Sequence, residues 1–381
     1  MHLGLSIMPN TIDFSEIRLH WVQVPLHEPF RISNGEVSVK DAVLVEMCSK
    51  DGESGWGEAS PMGGSFYSSE TPETTWEFLR NKAIPRLLAG PVPEPEKCFE
   101  WLSEFPGEPF AKAGVEGALW DFRANRKRAP LCEMLGGRAR PIPSGAAIGL
   151  MRSVSDLLDR VETFLNEGYR RIKIKIMPGH DVELVRAVRE RFGAVPLMVD
   201  ANAAYRLEDA AVFEELDGYG LMMIEQPLGR REHEEHAELQ RRLRTPICLD
   251  ESAEDLEAIN QIIRLGSAKI INIKVQRMGG LMPAKQAHDR ARAAGIPCWV
   301  GTMPELGIGS AQALHLATLD NFLFPTDVEA SARWFKDDII VPLIEISGKG
   351  YICLLQRPGM GYRIDMEKVA RYRVRCEVFK Q

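Results

Sequence analysis

The sequence predicts an α/β protein in which a (β/α)8-type barrel follows an N-terminal α+β domain. Three observations support this. Strand-like runs precede helical ones in the first 140 residues, eight apolar runs alternate with helical segments after residue 144, and strand-like runs return at 340–381. We therefore expect a first domain at residues 1–140, a barrel at 141–340 and a tail at 341–381 that returns to the first domain.

The first domain has the pattern of an antiparallel sheet followed by helices. Residues 17–24 and 42–46 are rich in apolar and β-branched side chains, and the Asp51-Gly52 pair is typical of a hairpin turn. Residues 110–125 carry apolar side chains at helical spacing, which predicts an amphipathic helix.

The barrel is predicted from its repeat. Eight apolar runs recur about every 25 residues, at 145–150, 172–176, 197–199, 221–224, 247–249, 270–273, 298–300 and 322–324. Seven helix-length segments lie between them, for example residues 181–191 and 283–294. A doubly wound open sheet is the alternative, but eight near-equal units and the lack of a GxGxxG motif after the first strand count against it.

The composition excludes several functional classes. The chain has 381 residues with 47 Lys and Arg against 54 Asp and Glu, for a formal charge of −7. With 45% hydrophobic and 27% charged residues, it does not fit disordered or fibrous proteins. A net-acidic chain without a long basic stripe argues against nucleic acid as a partner. The short basic cluster at residues 123–128 is better explained as the end of a helix.

The chain also lacks signals for membranes and for disulfides. No apolar stretch approaches the roughly 18 residues of a membrane span, and the N-terminus does not have the form of a signal peptide. The seven cysteines are an odd number without CxxC spacing, which indicates reduced thiols rather than zinc ribbons or disulfide frameworks. We therefore expect a cytoplasmic protein without a membrane partner. The sequence does not determine its oligomeric state and is compatible with a homo-oligomer.

Charged residues recur at the ends of the predicted strands. Catalytic groups of such barrels lie at the carboxyl ends of the strands. Reading only those ends gives two lysines on the second strand, three acids on the next three strands and a lysine on the sixth: Lys173, Lys175, Asp200, Glu225, Asp250 and Lys274. From Lys175 onward the spacing is 25, 25, 25 and 24 residues, so these side chains meet at one mouth of the barrel.

The three acids predict a site for a hard divalent cation. Three carboxylates at one mouth repel each other unless a cation neutralises them, and oxygen ligands suit Mg²⁺. No His or Cys accompanies Asp200, Glu225 and Asp250, which argues against zinc. The alternative is that each acid caps the next helix, which explains one acid better than three at equal spacing.

The lysines predict proton chemistry beside that cation. In the run Arg171 to Ile176 the lysines alternate with isoleucines, so Lys173 and Lys175 point into the barrel. Lys175 and Lys274 then face each other across the mouth, where a lysine can serve as general base. Arg277, three residues after Lys274, either lowers the pKa of Lys274 by charge repulsion or is an ordinary surface arginine.

These residues and their flanking motifs resemble the enolase superfamily, muconate-lactonizing-enzyme subgroup, and within it the o-succinylbenzoate synthase / N-succinylamino acid racemase family. The resemblance covers nearly the whole chain. It rests on RIKIKI, VDAN, IEQP, LDES and INIKVQRMGG around the six charges, and on GTMPELGIG, DVEASARWFKDDI and RPGMGY nearer the C-terminus. In the first domain, EPF, GWGE and FYSSET resemble loops that close over substrate. The resemblance implies a modified TIM barrel with an N-terminal α+β capping domain completed by the C-terminal tail.

The resemblance also implies roles for the matched residues. Asp200, Glu225 and Asp250 would bind Mg²⁺, which holds a small-molecule carboxylate substrate. Lys175 would remove its α-proton, and Lys274 would act from the opposite face, as a cation or as a second acid/base.

Further matched positions would bind the rest of the substrate. Lys173 and Asn202 would position the carboxylate and the metal. The acyl or succinyl group would be bound by Gly301, Thr302 and Met303 from the barrel and covered by Phe30 and Tyr67 from the cap.

The activity implied is Mg²⁺-dependent o-succinylbenzoate synthesis by loss of water from a cyclohexadiene precursor, through an enediolate, as in menaquinone synthesis. The alternative is racemisation of N-succinylamino acids by two-lysine proton transfer. Thr302 stands where the family usually has a second glycine, and Ser310 where it often has a basic residue. Both departures lie near the implied acyl pocket and therefore bear on the identity of the substrate rather than on the mechanism.

Other activities fit the residues less well. No His follows a late strand, which argues against a mandelate-racemase-type base, and Asp327 alone does not form the DxD pair of dipeptide epimerases. A Schiff-base aldolase has no use for three spaced acids, and a non-catalytic barrel does not explain why all six charges are present.

Overall fold

The computed structural model describes residues 14–32, 35–63, 68–90, 94–303 and 305–380, with backbone alone for 30–32 and 35–36. The chain opens with three antiparallel strands, β1 (Glu16–Ile32), β2 (Gly35–Cys48) and β3 (Ser54–Ala59). The predicted hairpin turn joins β2 to β3, and Gly52 there has φ 87°, which favours glycine. Both β1 and β2 run well beyond the predicted segments, because their pairing resumes past an irregularity between Pro25 and Phe30.

Helices cover one face of this sheet. They are α1 (Pro72–Phe78), a π-helical turn (Leu79–Ala83), α2 (Ile84–Leu88), α3 (Pro95–Leu102), α4 (Pro109–Arg126) and α5 (Leu131–Met134). The predicted helix at 110–125 is confirmed as α4, which packs directly on β3. A side chain at Gly57 would overlap the carbonyl of Gly114, so glycine permits this close approach.

Seven parallel strands form the barrel sheet in sequential order. After the short β4 (Ile142–Pro143), they are β5 (Ala146–Ile148), β6 (Ile172–Lys175), β7 (Leu197–Asp200), β8 (Ile224–Glu225), β9 (Ile247–Leu249), β10 (Ile270–Ile273) and β11 (Cys298–Val300). The α/β barrel architecture predicted from the repeat is therefore confirmed, with seven regular strands.

The predicted eighth strand at 322–324 is wrong as a regular strand. This segment closes the barrel through isolated parallel bridges, Cys298 with Phe322 and Ser144 with Thr326. The Gly145 amide donates to the Thr326 carbonyl at 2.9 Å. Pro325 interrupts the segment, and a proline cannot donate a ladder hydrogen bond.

Helices surround the sheet between the strands. They are α6 (Val154–Asn166), α7 (Val182–Phe192), α8 (Ala210–Leu216), α9 (His233–Arg242), α10 (Leu256–Leu265), α11 (Val275–Met278), α12 (Leu281–Ala293) and α13 (Gly307–Leu316), with 3-10 turns at Leu207–Asp209 and Asp217–Tyr219. The predicted helices at 181–191 and 283–294 correspond to α7 and α12. Asp181 caps α7 by accepting from the Val182 amide, which explains the start of that helix.

The tail returns to the N-terminal sheet. After α14 (Ser331–Trp334), which lies before the predicted boundary, come β12 (Ile340–Val341), β13 (Tyr351–Ile352), β14 (Arg363–Ile364), α15 (Met366–Tyr372) and β15 (Arg373–Lys380). Strand β15 pairs antiparallel with β1, which confirms that the tail completes the first domain's sheet. Because β13 pairs with β4, the tail also contacts the start of the barrel. The boundaries at 140 and 340 stay a prediction.

Among the helices in the described ranges, none is both long enough and apolar enough to cross a bilayer.

Candidate active site

Charged side chains end neighbouring strands at one edge of the barrel sheet. Lys175 is the last residue of β6 and pairs in register with Asp200, the last residue of β7, which pairs in turn with Glu225 at the end of β8. Asp250 and Lys274 directly follow β9 and β10. The equal spacing of these residues along the chain therefore places their charges in a row around one mouth of the barrel.

The alternation of β6 separates its two faces as predicted. Ile172, Ile174 and Ile176 are buried in the main hydrophobic core. Lys173 and Lys175 point to the other side, where both line a cavity at the mouth. The cavity is lined by residues from the barrel strands and the segment that follows them, and by one residue of the N-terminal domain: Met62, Ala147, Lys173, Lys175, Asp200, Asn202, Asp250, Lys274, Thr302, Met303, Asp327, Glu329 and Trp334.

Lys173 lies deep in this mouth among acids. Its Nζ is 2.6 Å from Asp327 Oδ2, 3.2 Å from Glu225 Oε2 and 3.8 Å from Asp200 Oδ2. Burial would lower the pKa of Lys173, but these carboxylates outweigh burial and raise that pKa above its ordinary value. Lys173 is therefore a permanent cation. Arg171 reinforces the arrangement, because its guanidinium is 2.6 Å from Asp327 Oδ1.

Lys175 lies nearer the rim and is held by two acceptors. Its Nζ is 2.6 Å from Asp200 Oδ2 and donates a hydrogen bond to Asn202 Oδ1, also at 2.6 Å. The Asn202 amide nitrogen donates to Glu251 Oε1 at 3.0 Å, which fixes the orientation of the amide. Asn202 has φ 43°, a left-handed conformation that asparagine tolerates better than most residues. Asn202 thus orients Lys175 toward the cavity.

Lys274 and Arg277 share one acid. Lys274 Nζ is 2.9 Å from Asp250 Oδ2, and the Arg277 guanidinium is 2.7 Å from Asp250 Oδ1. Burial would raise the pKa of Asp250, but these two cations hold it well below its usual range. Arg277 also donates to the carbonyls of Ala253 and Asn272. It is therefore not an ordinary surface arginine but part of the wall behind Lys274.

Glu225 is fully buried beneath the cavity surface. Burial raises its pKa, and the neighbouring charges of Asp200 and Asp250 raise it further against the opposing charge of Lys173. Asn272 donates to Glu225 Oε1 at 2.8 Å. The backbone of Gly301 passes so close to Asn272 that a side chain there would overlap its amide. Gly301 therefore packs under the site, while Thr302 and Met303 line the cavity.

The acids at the mouth are the candidate ligands of a divalent metal. In the part of the chain that the structure describes, no three His, Cys, Asp or Glu side chains stand together as a ready ligand group. Each of the three acids instead lies against a lysine. Even so, Lys173 contacts both Asp200 and Glu225, which places these two carboxylates within reach of a single cation.

Unsatisfied oxygens also favour a cation. Among the residues that the structure describes, none donates a hydrogen bond to Glu225 Oε2 or Asp250 Oδ1, which are buried oxygens with ion-pair partners. Such acceptor-only oxygens, without nitrogen or sulfur ligands among them, suit a hard cation. The residues of the site therefore fit a hard divalent metal.

The predicted acyl pocket is described only on its barrel side. Thr302 Oγ1 donates to the Asp327 carbonyl at 3.4 Å and lies between the mouth and a smaller cavity that Ser310 also lines. The side chain of Phe30 and the whole of Tyr67 lie outside the described residues. Whether they cover the substrate stays a prediction.

Several residues of the site were not predicted from the sequence. Asp327 is an isolated acid in the sequence, yet it is the nearest partner of Lys173. Asn272 precedes Lys274 by two residues on β10, so strand alternation could have indicated that it points inward. Trp334 lines the cavity from α14, and no sequence periodicity relates it to the strand ends.

Two family descriptions match the chain over most of its length. Residues 156–369 match the family described as enolase C-terminal domain-like, and residues 15–136 match the mandelate racemase / muconate lactonizing enzyme N-terminal domain. The chain is 43% identical over 368 residues to an o-succinylbenzoate synthase from Geobacillus kaustophilus, covering 97% of this chain and 98% of the relative.

A second relative and a solved structure extend the similarity. An N-succinylamino acid racemase from Amycolatopsis is 44% identical over 348 residues, covering 91% of this chain and 94% of the relative. The crystal structure of an enolase superfamily member from Listeria innocua superposes with a TM-score of 0.92 at 35% identity, covering 97% of this chain and 99% of that one.

Proposed function

The chain belongs to the mandelate racemase / muconate lactonizing enzyme family of the enolase superfamily, and from this membership we propose that it is a metal-dependent o-succinylbenzoate synthase. The observation that carries the proposal is the shared cavity. Lys175 and Lys274 line it from β6 and β10, and Asp200 and Asp250 line it between them. Such a cavity suits removal of a proton beside a carboxylate.

Asp200, Glu225 and Asp250 would hold a divalent cation, for which Mg²⁺ is our choice because the donor set is all oxygen. When bound, such a cation supplies Lewis-acid stabilisation of negative charge on a carboxylate. Lys173 adds a fixed positive charge at the same place, because its neighbouring acids keep it protonated.

Lys175 is the proposed base. It carries its amine on the last residue of β6, at the cavity surface, and Asn202 fixes its direction. A lysine that loses its proton can take the α-proton of the substrate, and proton transfer by a positioned side chain typically contributes about 10²–10⁴-fold to the rate. Asp200, in contact with Lys175, stabilises the ammonium that results.

Lys274 would face the substrate from the other side. In the dehydration it would act as a cation beside the negative charge that the substrate gains on losing its α-proton. In racemisation it would return a proton from the opposite face. The second activity is proposed alongside the first because both lysines line one cavity and because an N-succinylamino acid racemase is a 44% identical relative.

The setting of the reaction is part of the proposal. We propose a small-molecule carboxylate as the partner, a place in menaquinone synthesis, and a cytoplasmic location. These follow from the resemblance and from the reduced, unpaired cysteines.

The proposal is tested by direct turnover. The purified chain is incubated with Mg²⁺ and the cyclohexadiene precursor, and formation of o-succinylbenzoate is followed by ultraviolet absorbance. We expect turnover that EDTA abolishes and excess Mg²⁺ restores. Folded, Mg²⁺-supplied protein that fails to convert the precursor would contradict the synthase assignment.

Racemisation is tested separately with N-succinylamino acids in D₂O. NMR should show α-proton exchange from both enantiomers, and EDTA should abolish it. Exchange that persists without metal would contradict the three-carboxylate site.

A further inference from the structure

The C-terminal strand β15 places a thiol next to an imidazole in the N-terminal sheet, outside the barrel. In the β15–β1 pairing Cys376 lies directly opposite His20, and the adjoining strand β2 carries Glu46. Cys376 Sγ is 3.7 Å from His20 Nδ1, and His20 Nε2 is 3.2 Å from Glu46 Oε2. Cys376 is an exposed residue, whereas His20 and Glu46 are buried.

The carboxylate determines which imidazole nitrogen faces the thiol. Burial would raise the pKa of Glu46, but the hydrogen bond from His20 and the charge of Arg18 outweigh burial and lower that pKa. Glu46 is therefore ionised and can only accept hydrogen bonds. His20 Nε2 must carry the proton that it donates to Glu46, so in the neutral ring Nδ1 is left as an acceptor facing Cys376.

The imidazole is also held in place from its sides. The ring of Trp56 stacks on His20 with centroids 5.6 Å apart, and the Arg18 guanidinium lies 3.4 Å from Glu46 Oε2. A nucleophile, a base and a third group that orients the base are the parts from which activated thiols are built. Here the three parts come from three adjacent strands of one sheet.

We propose that Cys376 is a reactive thiol that exchanges with small-molecule disulfides, with His20 as proton acceptor and Glu46 as the positioning residue. His20 Nδ1 takes the thiol proton, and the Cys376 thiolate attacks one sulfur of the disulfide. A new S–S bond to Cys376 forms as the S–S bond of the reagent breaks. Its electron pair leaves on the second sulfur, which then collects the proton from His20, so a mixed disulfide and one free thiol result.

The chain contains a matched comparison for this thiol. Cys353 is the other exposed cysteine, and of the described residues none forms a hydrogen bond with its thiol. The thiols of Cys98, Cys132, Cys248 and Cys298 are buried, and burial raises the pKa of Cys48 to about 12. Cys353 and Cys376 are therefore the two thiols that a disulfide reagent reports in the folded protein.

The experiment measures thiol exchange with dithiodipyridine, an uncharged disulfide whose released thione absorbs light. The native chain is compared at pH 7 with Cys376→Ser, Cys353→Ser and Glu46→Gln. We expect Cys376 to react about tenfold faster than Cys353, because an unassisted cysteine is only a few per cent thiolate at this pH. Cys376→Ser should remove the fast phase, and Cys353→Ser the slow one.

The Glu46→Gln variant separates positioning from mere exposure. It should slow Cys376 toward the rate of Cys353 while leaving the Cys353 phase unchanged, and the unchanged phase shows that the fold is intact. Rates for the two thiols that agree within about twofold would overturn the proposal. So would a Cys376 rate that Glu46→Gln leaves unaltered in folded protein. Turnover at the barrel site should be the same in Cys376→Ser as in the native chain.

Discussion

Lys173 and Lys175 stand two residues apart on β6 and point to the same side, yet their surroundings differ. Lys173 is buried and contacts the carboxylates of Asp327, Glu225 and Asp200. Lys175 is partly exposed and contacts Asp200 and the amide oxygen of Asn202. Depth within the barrel thus separates a lysine surrounded by three carboxylates from the lysine that we propose as the base.

The largest effect is expected when Lys175 keeps its positive charge but can no longer release a proton. Lys175→Arg retains a cation beside Asp200, but a guanidinium does not give up its proton in proteins. We expect kcat to fall about 10²–10⁴-fold for both dehydration and racemisation. Steady-state kinetics are compared with Lys269→Arg, an exposed lysine outside the cavity. Activity within about tenfold of the native chain would remove Lys175 from the role of base.

The second test concerns Lys274, which lines the cavity from the strand β10 side. Lys274→Arg also keeps the charge, and the ion pair with Asp250 can re-form. Racemisation needs a proton from this side, so it should fall about 10²–10⁴-fold, whereas dehydration needs only a cation and should partly survive. Both rates are measured on one preparation. Equal losses would show that Lys274 has the same role in the two reactions.

The third test removes the fixed charge. Lys173→Met leaves the carboxylate of Glu225 without its nearest cation and Asp327 with Arg171 alone. Removing one partner of a buried ion pair typically costs about 3–5 kcal/mol, so we expect that loss in the free energy of unfolding. Urea denaturation measures it, with Lys269→Met as the exposed control. A change below about 1 kcal/mol would mean that Lys173 is not fixed in the way its contacts indicate.

The same pair of lysines illustrates what the sequence can predict. The inward direction of both followed from alternation along β6, and the row of strand-end charges followed from the 25-residue repeat, because each depends on local geometry. The ion-pair partner of Lys173 could not be predicted in this way, because Asp327 is 154 residues away and reaches Lys173 only when the barrel closes.

The irregular closing segment was mispredicted for a related reason. An apolar run at 322–324 predicts a strand, but Pro325 and the pairing of Thr326 with Ser144 determine its path. The contact between each acid and a lysine at the mouth likewise depends on side-chain distances that no spacing along the chain specifies.

The smallest effect is expected at Thr302, which lines the same cavity as Lys173. Thr302 lines the cavity and donates to the Asp327 carbonyl at 3.4 Å, so its side chain occupies space where the family usually has glycine. Thr302→Gly should enlarge the cavity and raise kcat/KM for N-succinyl over N-acetyl substrates by about tenfold, in line with the small discrimination of apolar pockets. Ser310→Ala, in the adjoining smaller cavity, is the control and should leave that ratio unchanged. If Thr302→Gly leaves this kcat/KM ratio unchanged, the acyl group lies elsewhere in the cavity. If Thr302→Gly and Ser310→Ala shift the ratio equally, the two cavities act as one pocket.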